Sequence, residues 1–269
     1  MNSYQSKAEL SKKEQLGPDI YRFTLKAYDI ALAAQPGQFV MVKVTDGLDP
    51  LLRRPFSIHQ VTGKGELQIL FKAIGKGTEI LANLPVGSTV DLVGPLGNSF
   101  SLPEQGLVCL VGGGMGIAPL LFLSKKLLQR KEPPQIRVLL GAQHKGELTQ
   151  LLMDFEGMGV QVDHATDDGS SGHKGFVTEL IEPIWQGAGD QQCTVLCCGP
   201  TPMMKAVAGL CHRNKVQCQV SLETMMACGI SACLGCTVLR SKQGGHNPDA
   251  LYFHVCKDGP VFDAGVIEW

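Results

Sequence analysis

Ten cysteines occur in this 269-residue chain, and four of them are spaced for inorganic chemistry. In ETMMACGISACLGCTV, residues 223 to 238, Cys228, Cys233 and Cys236 form a C-x4-C-x2-C array, and HVCKDG supplies Cys256 further along. That is the spacing of plant-type 2Fe-2S sites. A flat cluster needs three thiolates on one tight loop and a fourth from a separate segment, with the loop backbone passing close to the sulfides. Ala227, Gly229, Ser231, Ala232 and Gly235 are all small, as that approach requires. A four-cysteine zinc site is the competing metal reading, because Cys233 and Cys236 also make a C-x2-C pair. Zinc sites more often use two such knuckles, and here there is one. Inert thiols are the remaining alternative.

Other stretches carry the residue types that hold phosphates and flat rings. In LLRRPFSIH (51 to 59), Pro55 stiffens the turn after Arg54 and leaves its planar fork free for a pyrophosphate. Phe56 and Ser57 follow on alternating faces, so one can lie against a ring while the other offers a hydroxyl to its polar edge. A solvated basic turn before an ordinary strand is the plain alternative. AIGKGTEIL (73 to 81) sets Gly75, Gly77 and Thr78 at a helix start, where backbone amides meet phosphate oxygens. GGGMGIAP (112 to 119) runs from strand to helix but is not G-x-G-x-x-G, so it reads as a nucleotide loop or as a tight turn. ATDDGSSGHKG (165 to 175) borders a ribose or is a solvated loop. CCGPTPMM (197 to 204) places Cys198 at a strand end, facing a ligand edge or buried like most cysteines.

Two kinds of scaffold are expected to position these groups. Over the first hundred residues, IYRFTLK, QFVMVKV, FSIHQV, ELQILFKA and STVDLVG alternate with Gly and Pro turns, which predicts a small antiparallel barrel. From 107 to 221, the apolar runs LVCLV, IRVLLG, VQVDHAT, TVLCCG and VQCQVSL alternate with helical stretches, which predicts a parallel sheet covered on both faces. Its ligand belongs beyond the carboxyl ends of the strands. The expected division is 1–101 for the barrel, 102–221 for the α/β domain and 222–269 for the cysteine domain.

Composition narrows the partners. With 44% hydrophobic and 18% charged residues and a formal net charge of -1, nothing favours disorder or a polyanion, so nucleic acid is not expected. The opening MNSYQSKAELSKK has no apolar signal core, and with the cysteines in a ligand array a reducing cytoplasm is the expected compartment. The uncharged stretch 107 to 124 reaches the lower length for a membrane span, but its glycines and Pro119 favour a strand, a glycine turn and a helix, so no membrane association is expected. No G-x-S-x-G, H-E-x-x-H or Walker motif supports hydrolysis or phosphoryl transfer.

Together, Arg54-Pro55-Phe56-Ser57, the GKGT turn, GPLGNSF, GGGMGIAP, CCGPTPMM and the cysteine tail resemble the ferredoxin-NADP reductase superfamily with an added 2Fe-2S domain. Within it, ETMMACGISACLGC and HVCKDGPVF resemble the electron-transfer subunits of NAD-linked, two-subunit dihydroorotate dehydrogenases. The resemblance implies that Arg54, Pro55, Phe56, Ser57, Phe71, Lys72, Ala73, Gly77 and Thr78 contact FAD. It implies that Gly113, Gly114, Gly116 and Cys198 line the nicotinamide nucleotide site, and that Cys228, Cys233, Cys236 and Cys256 hold the cluster. It also implies an FMN-containing catalytic subunit oxidising dihydroorotate, a heterotetramer with two of each chain, and a place in de novo pyrimidine biosynthesis. Two departures stand out: Phe56 replaces the tyrosine of many members, and the polar insert SKQGGHNPDALY (241 to 252) precedes the fourth cysteine. Nicotinamide exchanges electrons in pairs and a 2Fe-2S cluster singly, so the expected relay is cluster, FAD, then NAD. A reductase serving an oxygenase, sulfide or ferredoxin system is the alternative, and a zinc-stabilised binding module the third.

Overall fold

The computed structural model describes residues 3–189, 191–241 and 251–269. Its first part is a closed antiparallel barrel of β1 (Tyr4–Gly17), β2 (Ile20–Lys26), β3 (Phe39–Lys43), β4 (Arg54–Val61), β5 (Glu66–Lys72) and β6 (Thr89–Leu96), in the order β1-β2-β5-β4-β3-β6. Helices α1 (Tyr28–Ala33) and α2 (Lys76–Asn83) lie in its connections. The five strands expected from period two are present, and β1 is a sixth that the periodicity does not reveal. It is largely polar, and only Ala8 and Leu10 turn fully inward. Pairing Glu9 with Lys26 on one side and Tyr4 with Gly94 on the other, β1 closes the barrel and removes its edges. Phe23, Val40, Val42, Ile58, Ile69 and Leu92 fill the interior. β4 starts at Arg54, two residues before the expected strand, so the Arg-Pro pair sits in the sheet, with Pro55 opposite Met41.

The second part is a sheet of β7 (Leu107–Gly113), β8 (Gln135–Ala142), β9 (Gln161–Thr166), the short β10 (His173–Lys174), β11 (Cys193–Cys198) and β12 (Gln217–Ser221). Helices α3 (Leu120–Leu128), α4 (Thr149–Glu156), α5 (Ile181–Gly187) and α6 (Thr201–Asn214) run between them. β7 lies between β8 and β11 and is buried at every position, which is why its sequence is apolar without alternation. The uncharged stretch 107 to 124 resolves into β7, a 3-10 turn over Gly114–Ile117 and the start of α3. Among the described residues, no helix is long and apolar enough to cross a membrane.

The tail adds β13 (Thr237–Leu239), β14 (Tyr252–His254), α7 (Val255–Asp258) and β15 (Val261–Asp263). β13 and β14 pair as an antiparallel hairpin. The sequence predicts a longer hairpin over the insert, but its residues 242–250 lie outside the described residues. β15 joins the edge of the α/β sheet antiparallel to β12, giving the order β10-β9-β8-β7-β11-β12-β15. The sheet is therefore parallel except at the edge that the cysteine segment supplies. Phe39 and Met41 of the barrel, Val111 and Val220 of the sheet, and Cys236, Val255 and Phe262 of the tail share one core.

Candidate functional site

A cavity of 570 Å³ opens beyond the carboxyl ends of β7, β8 and β9, where the doubly wound topology places a ligand. Gly113, Gly114, Gln143, Asp167, Phe176 and Met203 are among its walls. Gly114 takes a φ of 52°, so the chain turns there through the left-handed region. The next glycine of the loop has a different task. A Cβ on Gly116 would lie 2.3 Å from the carbonyl oxygen of Cys198, so this residue lets the turn close against β11. Gly113 and Gly114 are on the cavity wall, whereas Gly116 and Cys198, expected beside them, stand behind it. Cys198 is fully buried because β11 is covered on both faces, and burial first, then the nearby Glu223 carboxylate, pushes its thiol far above the ordinary range.

A second cavity, of 250 Å³, lies at the barrel mouth. Pro55, Phe56 and Ser57 of β4, Phe71 and Lys72 of β5 and Thr78 of α2 line it, so six of the expected ring-and-phosphate residues come together. The Phe56 and Phe71 rings sit 5.5 Å apart, and Phe23 meets Phe71 edge-on at 5.0 Å, so the apolar wall is preset by packing. The Thr78 hydroxyl accepts from the backbone N–H of Ile74 (3.0 Å) and Gly75 (3.2 Å), bracing the start of α2. Arg54, Gly77 and Ala73 stand outside this lining. Arg54 lies over Gly77, whose Cβ would come within 3.2 Å of Nε, and its guanidinium donates to the Leu52 carbonyl at 2.7 Å. The Ala73 N–H is used within the barrel, on the Asp19 carbonyl at 2.7 Å.

Sequence reasoning missed the opposite wall of this cavity. It is made by residues 221–224, Met226 and Pro260, from the end of β12 and the approach to the cysteine loop. The Thr224 Oγ1 there is buried without a hydrogen-bond partner, so a ligand with a polar edge fits this wall by supplying one. Glu223 lines the same wall, and desolvation raises its carboxyl above the usual carboxylate range. The signal was the SLET segment joining the last strand to the first cysteine, which the strand pattern covered.

The two cavities share Lys72 and Met115. Lys72 bonds Glu147 at 2.7 Å. Burial pushes the Glu147 carboxyl up, but Lys72 and the Gln143 N–H outweigh it and hold the group below the usual range. Groups bound in the two cavities would thus meet at one junction with a locked ion pair beside it.

The four array cysteines group two and two. The Cys233 backbone lies against the Cys228 sulfur, and that of Cys256 against the Cys236 sulfur. Backbone N–H groups point at the sulfurs: Ile230 (3.5 Å) and Cys233 (3.4 Å) to Cys228, and Cys256 (3.4 Å) to Cys236. Burial opposes ionisation of Cys228, yet these N–H bonds prevail and lower its thiol to about 7. Among the described residues, no three Cys, His, Asp or Glu side chains surround one point where a single ion could sit. Four thiolates, three on one loop and one from α7, are the donor set a 2Fe-2S core takes, two to each iron. Ser231 (φ 65°) and Leu234 (φ 57°) bend the arc through the left-handed region, and Gly229 is held against Met41, which a Cβ would strike at 2.4 Å.

Comparison with known proteins agrees with this three-part site. The pattern of an oxidoreductase FAD-binding domain matches residues 7–100, and that of an oxidoreductase NAD-binding domain matches residues 110–209. The iron-sulfur cluster binding domain of dihydroorotate dehydrogenase B matches residues 223–268. The electron transfer subunit of dihydroorotate dehydrogenase B (NAD(+)) from Desulforamulus reducens is 42% identical over 260 residues, covering 94% of each chain. The subunit of the same name from Geobacillus kaustophilus is 41% identical over 254 residues, covering 92% of each. A solved structure described under flavin-based electron bifurcation by an NADH-dependent reduced ferredoxin-NADP oxidoreductase superposes with a TM-score of 0.85 at 30% identity, over 98% of this chain and 90% of its own.

Proposed function

The chain belongs to the family of electron transfer subunits of dihydroorotate dehydrogenase B (NAD(+)), and we propose that it carries electrons from a separate dihydroorotate-oxidising subunit to NAD+. The observation that carries this reading is the wall shared by the barrel cavity and the cysteine loop. Met226 lines the cavity and stands two residues before Cys228, at most about 7 Å along an extended chain. A group in the cavity and a cluster on the loop are therefore neighbours.

On this reading, Pro55, Phe56, Ser57, Phe71, Lys72 and Ala73 hold the FAD ring, and Arg54, Gly77 and Thr78 its phosphates. Gly113 and Gly114 take the nicotinamide nucleotide, with Gly116 and Cys198 supporting the loop from behind. Cys228, Cys233, Cys236 and Cys256 ligate the 2Fe-2S cluster. The bound FAD supplies the exchange between paired and single electrons. The chain's own residues provide the rest. Thr224 Oγ1 fixes a polar edge of the ring, Lys72 and Met115 set where the cavities meet, and Glu223 keeps a proton on its carboxyl to higher pH than an ordinary glutamate. Asp167 and Glu147 put carboxylates in the larger cavity, which favours a nucleotide without an extra ribose phosphate. The units follow residues 1–101, 102–221 and 222–269, and the compartment is the cytoplasm. The partner is an FMN-containing catalytic subunit in a heterotetramer of two chains of each kind.

A second reading keeps the relay and changes the partner to that of a ferredoxin-NADP oxidoreductase system, which the likeness over 98% of the chain favours. Reconstitution separates the two. The isolated holoprotein should oxidise NADH with artificial one-electron acceptors and leave dihydroorotate untouched, and adding the catalytic subunit should link dihydroorotate oxidation to NAD+ reduction. Dihydroorotate turnover by this chain alone, or failure to couple to that subunit, overturns the reading.

A further inference from the structure

The larger cavity draws its walls from both folding units. Most of the lining comes from the α/β sheet, but Ile20 of β2 and Lys72 of β5 reach it from the barrel. Among the described residues that line the two cavities, Lys72 is the one lysine or arginine, and it shares with Met115 the property of lining both. Its Nζ donates to Glu147 Oε1 at 2.7 Å, and Glu147 lines only the larger cavity. The pair is therefore ordered across the junction. The cation stands where the cavities meet, and the carboxylate stands on the nucleotide side.

The carboxylate is fixed in place. Its second oxygen, Oε2, accepts from the Gln143 N–H at 3.2 Å, and the side chain is only 12% exposed. The turn that carries it, Lys145–Glu147, packs so closely on the end of β1 that a Cβ on Gly17 would lie 2.6 Å from the Gly146 carbonyl oxygen. The helix that follows, α4, is tied to the barrel by Asp154, 2.5 Å from Arg22. Burial opposes ionisation of Glu147, but the bonds from Lys72 and the Gln143 N–H outweigh it, so the group is charged at neutral pH. A fixed charge in a partly desolvated wall acts more strongly on a ligand than one free to swing into solvent.

A nucleotide that exchanges electrons with a ring in the barrel cavity has to bring its nicotinamide to this junction. The oxidised nicotinamide carries a positive charge and the reduced one none, while the rest of the dinucleotide is the same in both. A carboxylate beside the junction can tell the two apart by charge alone. We propose that Glu147 is a specificity-determining residue for the redox state of the nucleotide, holding the cationic ring of NAD+ more tightly than the neutral ring of NADH, an inference that rests on the relay reading above. Reduction of NAD+ adds two electrons and one proton and cancels the charge on the ring, so the product loses this attraction and leaves. Lys72 acts through Glu147, keeping the carboxylate ionised and in position.

The test is calorimetric titration of the oxidised holoprotein with NAD+ and with tetrahydro-NADH, an analogue whose neutral ring cannot give up electrons, for the parent, Glu147→Gln and Glu147→Asp, with FAD quantified in each. In the glutamine variant NAD+ should bind roughly tenfold more weakly, the effect of one partly solvated charge near contact, and the neutral analogue should stay within about twofold of the parent. The aspartate variant keeps the charge and should keep the preference. Equal weakening of both nucleotides means that the pair only braces the two units, and it overturns the proposal, as does an unchanged NAD+ affinity. Should the glutamine variant fail to hold FAD, Lys72→Met gives a second reading: the carboxylate then acts without its counter-charge, and a preference for NAD+ no greater than the parent's overturns the proposal. Parent protein with full FAD content that binds neither nucleotide overturns the relay reading with it.

Discussion

Glu223 is an exposed residue on the rim of the barrel cavity, and partial desolvation by the protein beside it raises its carboxyl pKa. Each NAD+ reduced requires two electrons and one proton, and on the proposed route the electrons arrive singly without the proton. A carboxyl beside the ring site that stays protonated above the ordinary range is suited to hold it. Glu223→Gln keeps the shape and removes the titration. NADH oxidation with artificial acceptors should fall on the order of a hundredfold, and the limb of the pH-rate profile belonging to this group should vanish; an unchanged profile excludes the role. Stability should move the other way. A raised folded pKa means the native state holds the proton longer, so stability is present below the unfolded value of 4.5 and declines as pH rises through the folded value. The glutamine variant should escape that decline. Neither Glu223 nor Thr224 carried a readable motif, because what marks them is desolvation and an unpartnered hydroxyl, which exist only once the tail folds back. Cys198 shows the converse: its place at a strand end suggested a ligand edge, and the layers covering β11 buried it.

β4 is the element that ties the site to the rest of the molecule. Pro55, Phe56 and Ser57 face the barrel cavity, and two residues on, His59 is fully buried against α3, its Nδ1 2.7 Å from the Ala118 carbonyl and its Nε2 without a partner. Burial lowers its pKa to about 4, and the Ala118 bond only partly opposes this. Arg22 and Lys125 nearby also disfavour the cation, while Glu14 favours it. The sign follows from linkage. The unfolded chain binds a proton at about 6.5 and the native state only near 4, so stability falls as pH drops through that window, by roughly 3 kcal/mol from this group. Denaturant titrations at pH 7 and pH 4.5 should show a shallower loss for His59→Gln than for the parent. Equal slopes would mean that His59 is not the titrating joint. The alternation of FSIHQV predicted this strand, but not that its histidine would be pressed against a helix sixty residues away.

The whole molecule behaves as three sequence units with shared walls. Removing residues 222–269 deletes the cysteine ligands, but it also deletes one side of the barrel cavity, the edge strand β15 and the tail's share of the common core. The truncated chain is therefore expected to lose FAD together with iron, read as the 450 nm to 280 nm absorbance ratio after gel filtration. Stoichiometric retention of FAD would show that the barrel closes its site unaided.

Sequence alone determined the order of the parts and the chemistry of the tail. Thiolate spacing, period-two strands and apolar parallel strands are local constraints, written within a few residues of where they act. Folding decided what those parts share. The polar strand β1 closes a barrel because both of its edges find partners, and β15 crosses to the neighbouring sheet because β12 leaves an edge open. Glu223, Thr224 and Met226 become cavity walls because distant segments bury surface together. Such burial depends on contacts between residues far apart in the chain, and no spacing rule within one segment encodes it.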